Sequence, residues 1–259
     1  MRRGKIVHKQ QYAVVIITAL LLVFGVSTTI AAPLVPIPSV NVGVETATNP
    51  RDVALSLQIL LTLTILSLAP SILIMMTSFI RIIVVLSFLR SALATQQMPP
   101  NQVLIGLALF LTFFTMSPYL EQANQNGLQP YLNGAITQEA AITESLKPMR
   151  EFMFKQTREN DLALFVNLSE APRPNSPDDV ATTTLIPAFV ISELKTAFQI
   201  GFMIYIPFIV IDMVVASTLM SMGMMMVPPV MISLPFKILL FILVDGWHLI
   251  IKSLIDSFH

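Results

Sequence analysis

The sequence predicts an all-α protein of the integral membrane type, built from kinked and interrupted helical hairpins. Three observations carry this. Of 259 residues, 54% are hydrophobic and 12% charged, with a mean hydropathy of +0.76, which is the composition of a membrane protein. Apolar stretches long enough for about 30 Å of hydrocarbon recur along the chain. Prolines stand inside them, at Pro70, Pro207 and Pro235. Such breaks suit helices buried in protein or lining a cavity better than helices alone in lipid.

The same composition narrows function. Net charge is zero and no basic run lies beyond the N-terminus, which gives no support for nucleic-acid binding. Without cysteine there are neither disulfides nor thiolate chemistry. No H-E-x-x-H, G-x-S-x-G or P-loop pattern occurs, so the expectation is a protein that is not an enzyme, with no cofactor and no metal.

Residues 1–31 have the form of a cleaved signal peptide. Arg2, Arg3, Lys5 and Lys9 form a basic start, 12–26 an apolar stretch, and Thr29-Ile30-Ala31 a small-x-small site. Cleavage between Ala31 and Ala32 is preferred over cleavage after Ala32, because Pro33 at the first mature position suits the peptidase poorly. The long apolar stretch keeps an uncleaved anchor helix as the competing reading. Cleavage places the mature N-terminus outside the cytoplasm, and the proline-bearing residues 32–52 are expected to be an extended exported segment.

Residues 53–120 are expected to form the first hairpin, with apolar segments 53–79 and 103–120. Pro70 should kink the first, and Ser117-Pro118 should close the second. Arg81 and Arg90 flank an apolar run, and no acidic residue follows until Glu121, so positive charge places both arginines, with the turn at 90–102, on the cytoplasmic side. Residues 121–184 change character. Nine acidic and five basic residues lie between Glu121 and Asp179, which predicts a partly helical, exported (periplasmic) insert.

Residues 185–259 are expected to form a second hairpin whose tip, 220–229, is rich in methionine. Met220, Met222, Met224, Met225 and Met226 crowd the turn, with Met213 and Met231 beside it. Flexible, polarizable thioethers at a Gly/Pro-interrupted turn make a deformable apolar plug; the plainer alternative is that they fill a helix–helix interface. Asp212 lies 12 residues before Met224 and Lys237 lies 12 after Met225. Folding at the tip therefore brings both to one height, about 18 Å from it. A charge inside an apolar helix costs about 2.5–3.5 kcal/mol and needs a partner, so a structural ion pair between them is the first expectation. Glu193, Lys195 and Asp245 are further polar groups of the buried type. Glu193 and Lys195, two apart, should face different neighbours. His248, beside Trp247, is expected at an interface rather than as a ligand.

A second function class fits these charges: a small secondary transporter or ion channel using Asp212, Lys237 and Asp245, since interrupted helices beside charges mark transport sites. Four apolar segments without a clear inverted repeat speak against it.

The run at 187–202, the tip Met222-Gly223-Met224-Met225-Met226-Val227-Pro228-Pro229, Ser233-Leu234-Pro235-Phe236-Lys237, Asp245-Gly246-Trp247, Ser78-Phe79-Ile80-Arg81 and Gln97-Met98-Pro99-Pro100 together resemble the FliP family of the bacterial flagellum, whose injectisome counterpart is the SctR family. The resemblance covers roughly residues 55–258, and the leader and long insert fit the flagellar branch. It implies a core subunit of the type III secretion export gate at the basal body in the inner membrane. By the same resemblance, several copies (a pentamer) join FliQ and FliR in a helical hetero-oligomer to which FlhB docks, and unfolded flagellar substrates pass through its channel. It also implies that the assembly sits largely above the inner-membrane plane, in place of four simple spans. Met224, Met225 and Met226 would form the family's pore gasket, and Asp212 with Lys237 an ion pair that holds the assembly together.

Overall fold

A computed structural model describes residues 50–258, except Gln96, Glu170, Ala171, Arg173, Asn175 and Met225. The leader, its cleavage site at Ala31 and Ala32, and most of the segment 32–52 lie outside the described residues, as does Met225. The described residues are helical and contain no strand. In order they form α1 (Pro50–Met75), α2 (Phe79–Ala92), α3 (Asn101–Ala123), α4 (Gln129–Leu132), α5 (Gln138–Gln156), α6 (Glu159–Leu168), α7 (Thr182–Ser221), α8 (Pro229–Leu243) and α9 (Gly246–Asp256).

The helix bounds depart from the proline positions at three places. α1 runs through Pro70 and ends at Met75, and the first apolar segment breaks at Met76-Thr77-Ser78 instead. α3 runs through Pro118 and continues by a π-helical turn, Asn124–Leu128, into α4. α7 is a single helix of 40 residues that takes in both Pro187 and Pro207. An internal proline costs about 3 kcal/mol; at Pro118, Pro187 and Pro207 burial on either side outweighs it, whereas Pro70 lies on an exposed stretch of α1. Beside Pro118, Thr115 and Met116 are buried and Tyr119 meets Phe152 edge-on at 5.1 Å. Beside Pro187 and Pro207, Ala188, Phe189 and Phe208 are buried.

α7 is the axis on which the rest is laid. α2 runs alongside it in the same direction, so that Arg81 meets Glu193 and Phe88 meets Phe198, their rings 5.3 Å apart. Gly201 permits this approach, since a Cβ there would stand 2.6 Å from the Phe88 ring. α8 returns antiparallel to α7, and a bend of 65° at Val244-Asp245 turns the chain into α9.

The core gathers Ile82, Leu86, Met116, Phe152, Met153, Phe189 and Leu254, from α2, α3, α5, α7 and α9. α5 therefore belongs to the same core as the apolar segments. The charged insert is amphipathic, and Phe152 and Met153 are its buried face. A second cluster, nearer the tip, joins Leu89, Ala92 and Leu93 to Phe208 and Phe241.

The outer faces are strongly apolar. Leu57, Leu60, Leu61, Leu63 and Leu66 of α1 are exposed, as are Phe110, Phe113 and Phe114 of α3, Phe202 and Met203 of α7, and Ile242 and Leu243 of α8. Among the described residues two helices are long and apolar enough to cross a membrane, Asn101–Leu132 and Thr182–Ser221. The bent pair α8 and α9 makes a third if it counts as one span, and Ser56–Ile72 is a further, shorter apolar stretch. Large exposed apolar surface on this scale is covered by lipid or by other subunits.

Candidate functional site: a methionine-tipped hairpin on buried ion pairs

The tip is built by a helix stop that needs glycine. At the end of α7 Gly223 has φ +74°, the Gly223 amide donates to the Met220 carbonyl at 3.0 Å, and the Met224 amide donates to the Leu219 carbonyl at 2.9 Å. This is the paired-bond stop in which a left-handed residue satisfies the last carbonyls of a helix, a conformation that glycine adopts without strain. Pro229 then opens α8 at a first-turn position, where its missing N–H costs nothing. Between the two helices Met222, Met224 and Met226 are exposed, Met226 at 97% of its full area, and Met220 and Met231 are exposed beside them. Within the chain these side chains fill no helix–helix interface.

Below the tip stands the first ion pair. Lys237 Nζ lies 2.6 Å from Asp212 Oδ2 and donates also to the Ala92 carbonyl at 3.3 Å. Ser233 donates its hydroxyl to Asp212 Oδ1 at 2.5 Å. Lys237 is buried and Asp212 partly so. One lysine thereby ties α8 to α7 and to the end of α2, immediately before the loop at 93–100. Arg90 holds that loop, donating to Asn101 Oδ1 at 2.6 Å and to the Pro99 carbonyl at 3.3 Å.

The second pair is deeper. Arg81, only 2% exposed, grips the fully buried Glu193 with two parallel bonds, Nε to Oε2 at 2.9 Å and Nη2 to Oε1 at 2.5 Å. Its remaining donors reach Gln156 Oε1 at 2.8 Å, the Ser257 carbonyl at 2.8 Å and the Ser257 hydroxyl at 3.0 Å, and its Cζ lies 4.0 Å from the centre of the Phe258 ring. Gln156 in turn donates to the Phe258 carbonyl at 2.9 Å. All four elements that meet here are pinned by one guanidinium, a geometry that only arginine supplies.

A third cluster fastens α6. Asp161, buried, accepts from the Lys195 ammonium and from the Ser192 hydroxyl, the latter at 2.9 Å, while the Arg158 amide donates to the Ser192 hydroxyl at 3.0 Å. The Lys195 hydrogen bond holds the Asp161 carboxyl below its ordinary value against the burial that pushes it up, with Ser192 and Arg158 adding to the lowering. A carboxyl depressed in the folded state contributes stability above its unfolded value, near 4, and that contribution disappears as pH falls through the lower, folded value. Protection of the α6 amides, measured relative to the exchange rate of the unfolded chain at the same pH, should therefore hold from neutral pH down to about pH 4 and fall only in stronger acid. In Asp161→Asn that protection should be reduced at neutral pH and show no further loss specific to acid.

Three sequence expectations need correction. Of the polar groups expected to be buried, Glu193 is. Lys195 is half exposed, because its long stem reaches from the surface to the buried Asp161. Asp245 is exposed, because it occupies the bend between α8 and α9 with φ +49°, outside either helix. Arg81, expected as a positive charge on the cytoplasmic side, is instead buried in an ion pair with Glu193, so the sidedness argument retains Arg90 alone. Glu193 and Lys195 do meet separate neighbours. Arg81 as a hub, together with Gln156, Asp161, Ser192, Ser233 and Ser257, was missed. The available signal was that Arg81 and Glu193 are both lone charges within apolar helices, each requiring a partner.

A family model described as the FliP family matches residues 62–254. The flagellar biosynthetic protein FliP of Bacillus subtilis is 60% identical over 217 residues, which cover 84% of this chain and 98% of that protein. The protein of the same name from Pectobacterium carotovorum is 58% identical over 205 residues, 79% of this chain and 80% of its own. That of Treponema pallidum is 48% identical over 228 residues, 87% of this chain and 84% of its own.

Proposed function

The chain belongs to the FliP family, and from that membership we propose that it is a core subunit of the flagellar type III export gate, whose methionine tip seals the export channel. It is a membrane-associated component of the flagellar export apparatus and not an enzyme. In the proposed assembly several copies, five by the family resemblance, join FliQ and FliR in the inner membrane, FlhB docks onto them, and unfolded flagellar proteins pass through the centre. The mature N-terminus lies on the periplasmic side and the loop at 93–100 on the cytoplasmic side.

The observation that carries the reading is the exposed run Met222, Met224 and Met226 at the end of a helix pair locked by Asp212 and Lys237. A ring of such tips presents thioethers with little hydrogen-bonding capacity, which closes a pore to ions by dewetting. The same side chains are unbranched and reshape around a passing polypeptide of any sequence. The exposed apolar faces of α1, α3, α7 and α8 supply the surface on which copies, partners and lipid pack. Asp212 and Lys237 are occupied by each other, by Ser233 and by Ala92, which suits an ion pair that braces the hairpin better than a transport site.

The assembly is tested by co-expression with and without FliQ and FliR and native mass spectrometry of the purified product. A purification tag belongs in the exposed turn at Gly134, not after Phe258, whose carbonyl is bonded to Gln156. One defined hetero-oligomer holding several copies of this chain is the expected result. A stable lone monomer or dimer in the presence of both partners overturns it.

A further inference from the structure

We propose that the methionine tip is a reversible oxidation site, at which peroxide turns Met222, Met224 and Met226 into sulfoxides and opens the seal. The proposal rests on the pore-seal reading and adds to it a chemical control. The chain has no cysteine, so no thiolate competes for oxidant and methionine is its reactive sulfur. Among the methionines, exposure divides them sharply. Met226, at 97%, is the most exposed of the described methionines; Met222 (66%) and Met224 (45%) are exposed with it, as are Met220 and Met231 beside the tip and Met98, Met203 and Met213 elsewhere, whereas Met116 and Met153 are at 1% and 0%. Access decides which thioether a water-soluble oxidant reaches.

The step is a two-electron transfer. A lone pair on the methionine sulfur attacks one oxygen of hydrogen peroxide, an S–O bond forms and the O–O bond breaks. The departing hydroxide takes the remaining proton and leaves as water. Sulfur is oxidised and peroxide reduced. A dithiol-dependent methionine sulfoxide reductase reverses the change, removing the oxygen as water while its own dithiol closes to a disulfide.

The consequence follows from polarity. A thioether is a weak acceptor, but a sulfoxide is a strongly polar one. A ring that excludes water because its lining is apolar becomes one that binds water, and the barrier to ions falls. Alternate positions on one tip, repeated in every copy, would change together, so that the response of the ring is steep.

The test uses the assembled complex with its partners in proteoliposomes, treated with hydrogen peroxide and followed by peptide mass spectrometry and ion conductance. Met222, Met224 and Met226 should gain oxygen about tenfold or more faster than Met116 and Met153. Conductance should rise in step and fall again after treatment with the reductases for both sulfoxide epimers. The variant Met222→Leu, Met224→Leu, Met225→Leu, Met226→Leu, whatever its starting conductance, should show no conductance response to peroxide. Tip oxidation no faster than that of the buried methionines, oxidation without a change in conductance, or an equal peroxide response in the leucine variant each overturns the proposal. The seal itself is tested separately by alanine. If the alanine variant leaks but peroxide leaves the wild type tight, only the oxidation proposal fails; if the assembled alanine variant is tight, the seal reading fails.

Discussion

Arg81→Ala is expected to destabilise the folded chain by about 3–5 kcal/mol, the cost of leaving a buried charge without its partner. Glu193 is fully buried and receives both of its strong bonds from Arg81, and Gln156 and Ser257 lose a donor as well. For a chain of this size each kcal/mol moves the melting temperature by about 2–4 °C, so thermal unfolding of the purified complex should begin roughly 6–20 °C lower. Arg81→Lys should fall between, since an ammonium cannot grip both carboxylate oxygens in a fixed fork. The cause is separable from lost packing. Replacing Arg81 and Glu193 together by methionine removes the stranded charge, and a buried pair exchanged for apolar groups is often neutral. The double variant should therefore melt well above Arg81→Ala. If it melts no higher, the uncompensated charge is not what destabilises the single variant.

The second large effect is on permeability. Replacing Met224, Met225 and Met226 by alanine shortens the apolar side chains at the tip while leaving Gly223, Pro228 and the Asp212–Lys237 brace in place. The expected result is a complex of unchanged mass whose ion conductance rises about tenfold or more, because a wider apolar ring no longer excludes water. Cells carrying it should lose membrane potential without losing assembled gates. Unchanged conductance in an assembled triple variant would sink the gasket.

Much of this architecture was legible in the residues, and the part that was not has a common physical cause. Composition pointed to apolar helices, and the local chemistry Met-Gly…Pro-Pro pointed to the tip. Equal spacing of Asp212 and Lys237 from that tip is a local, arithmetical property, and the two side chains lie 2.6 Å apart. What sequence reasoning missed depends on tertiary packing. Pro118 and Pro207 looked like breaks because their cost is intrinsic, whereas the burial that offsets it comes from other elements. Arg81 looked like a cytoplasmic-side charge because its carboxylate lies 112 positions away. The insert looked like an exported segment apart from the apolar hairpins because its charges are dense in the sequence, although Phe152 and Met153 on one face belong to the core.

The hub around Arg81 also sets an order of events during synthesis. Its donors must wait for Gln156, then Glu193, and finally Ser257, which leaves the ribosome 176 residues after Arg81 itself. Contacts closed over such separations form late and slowly. Until they do, α2 and α7 carry unpaired charges, and the apolar faces around them are open. A nascent chain of this kind is therefore receptive to neighbours until Ser257 has emerged, and the turn that carries it is the clasp that ends that period.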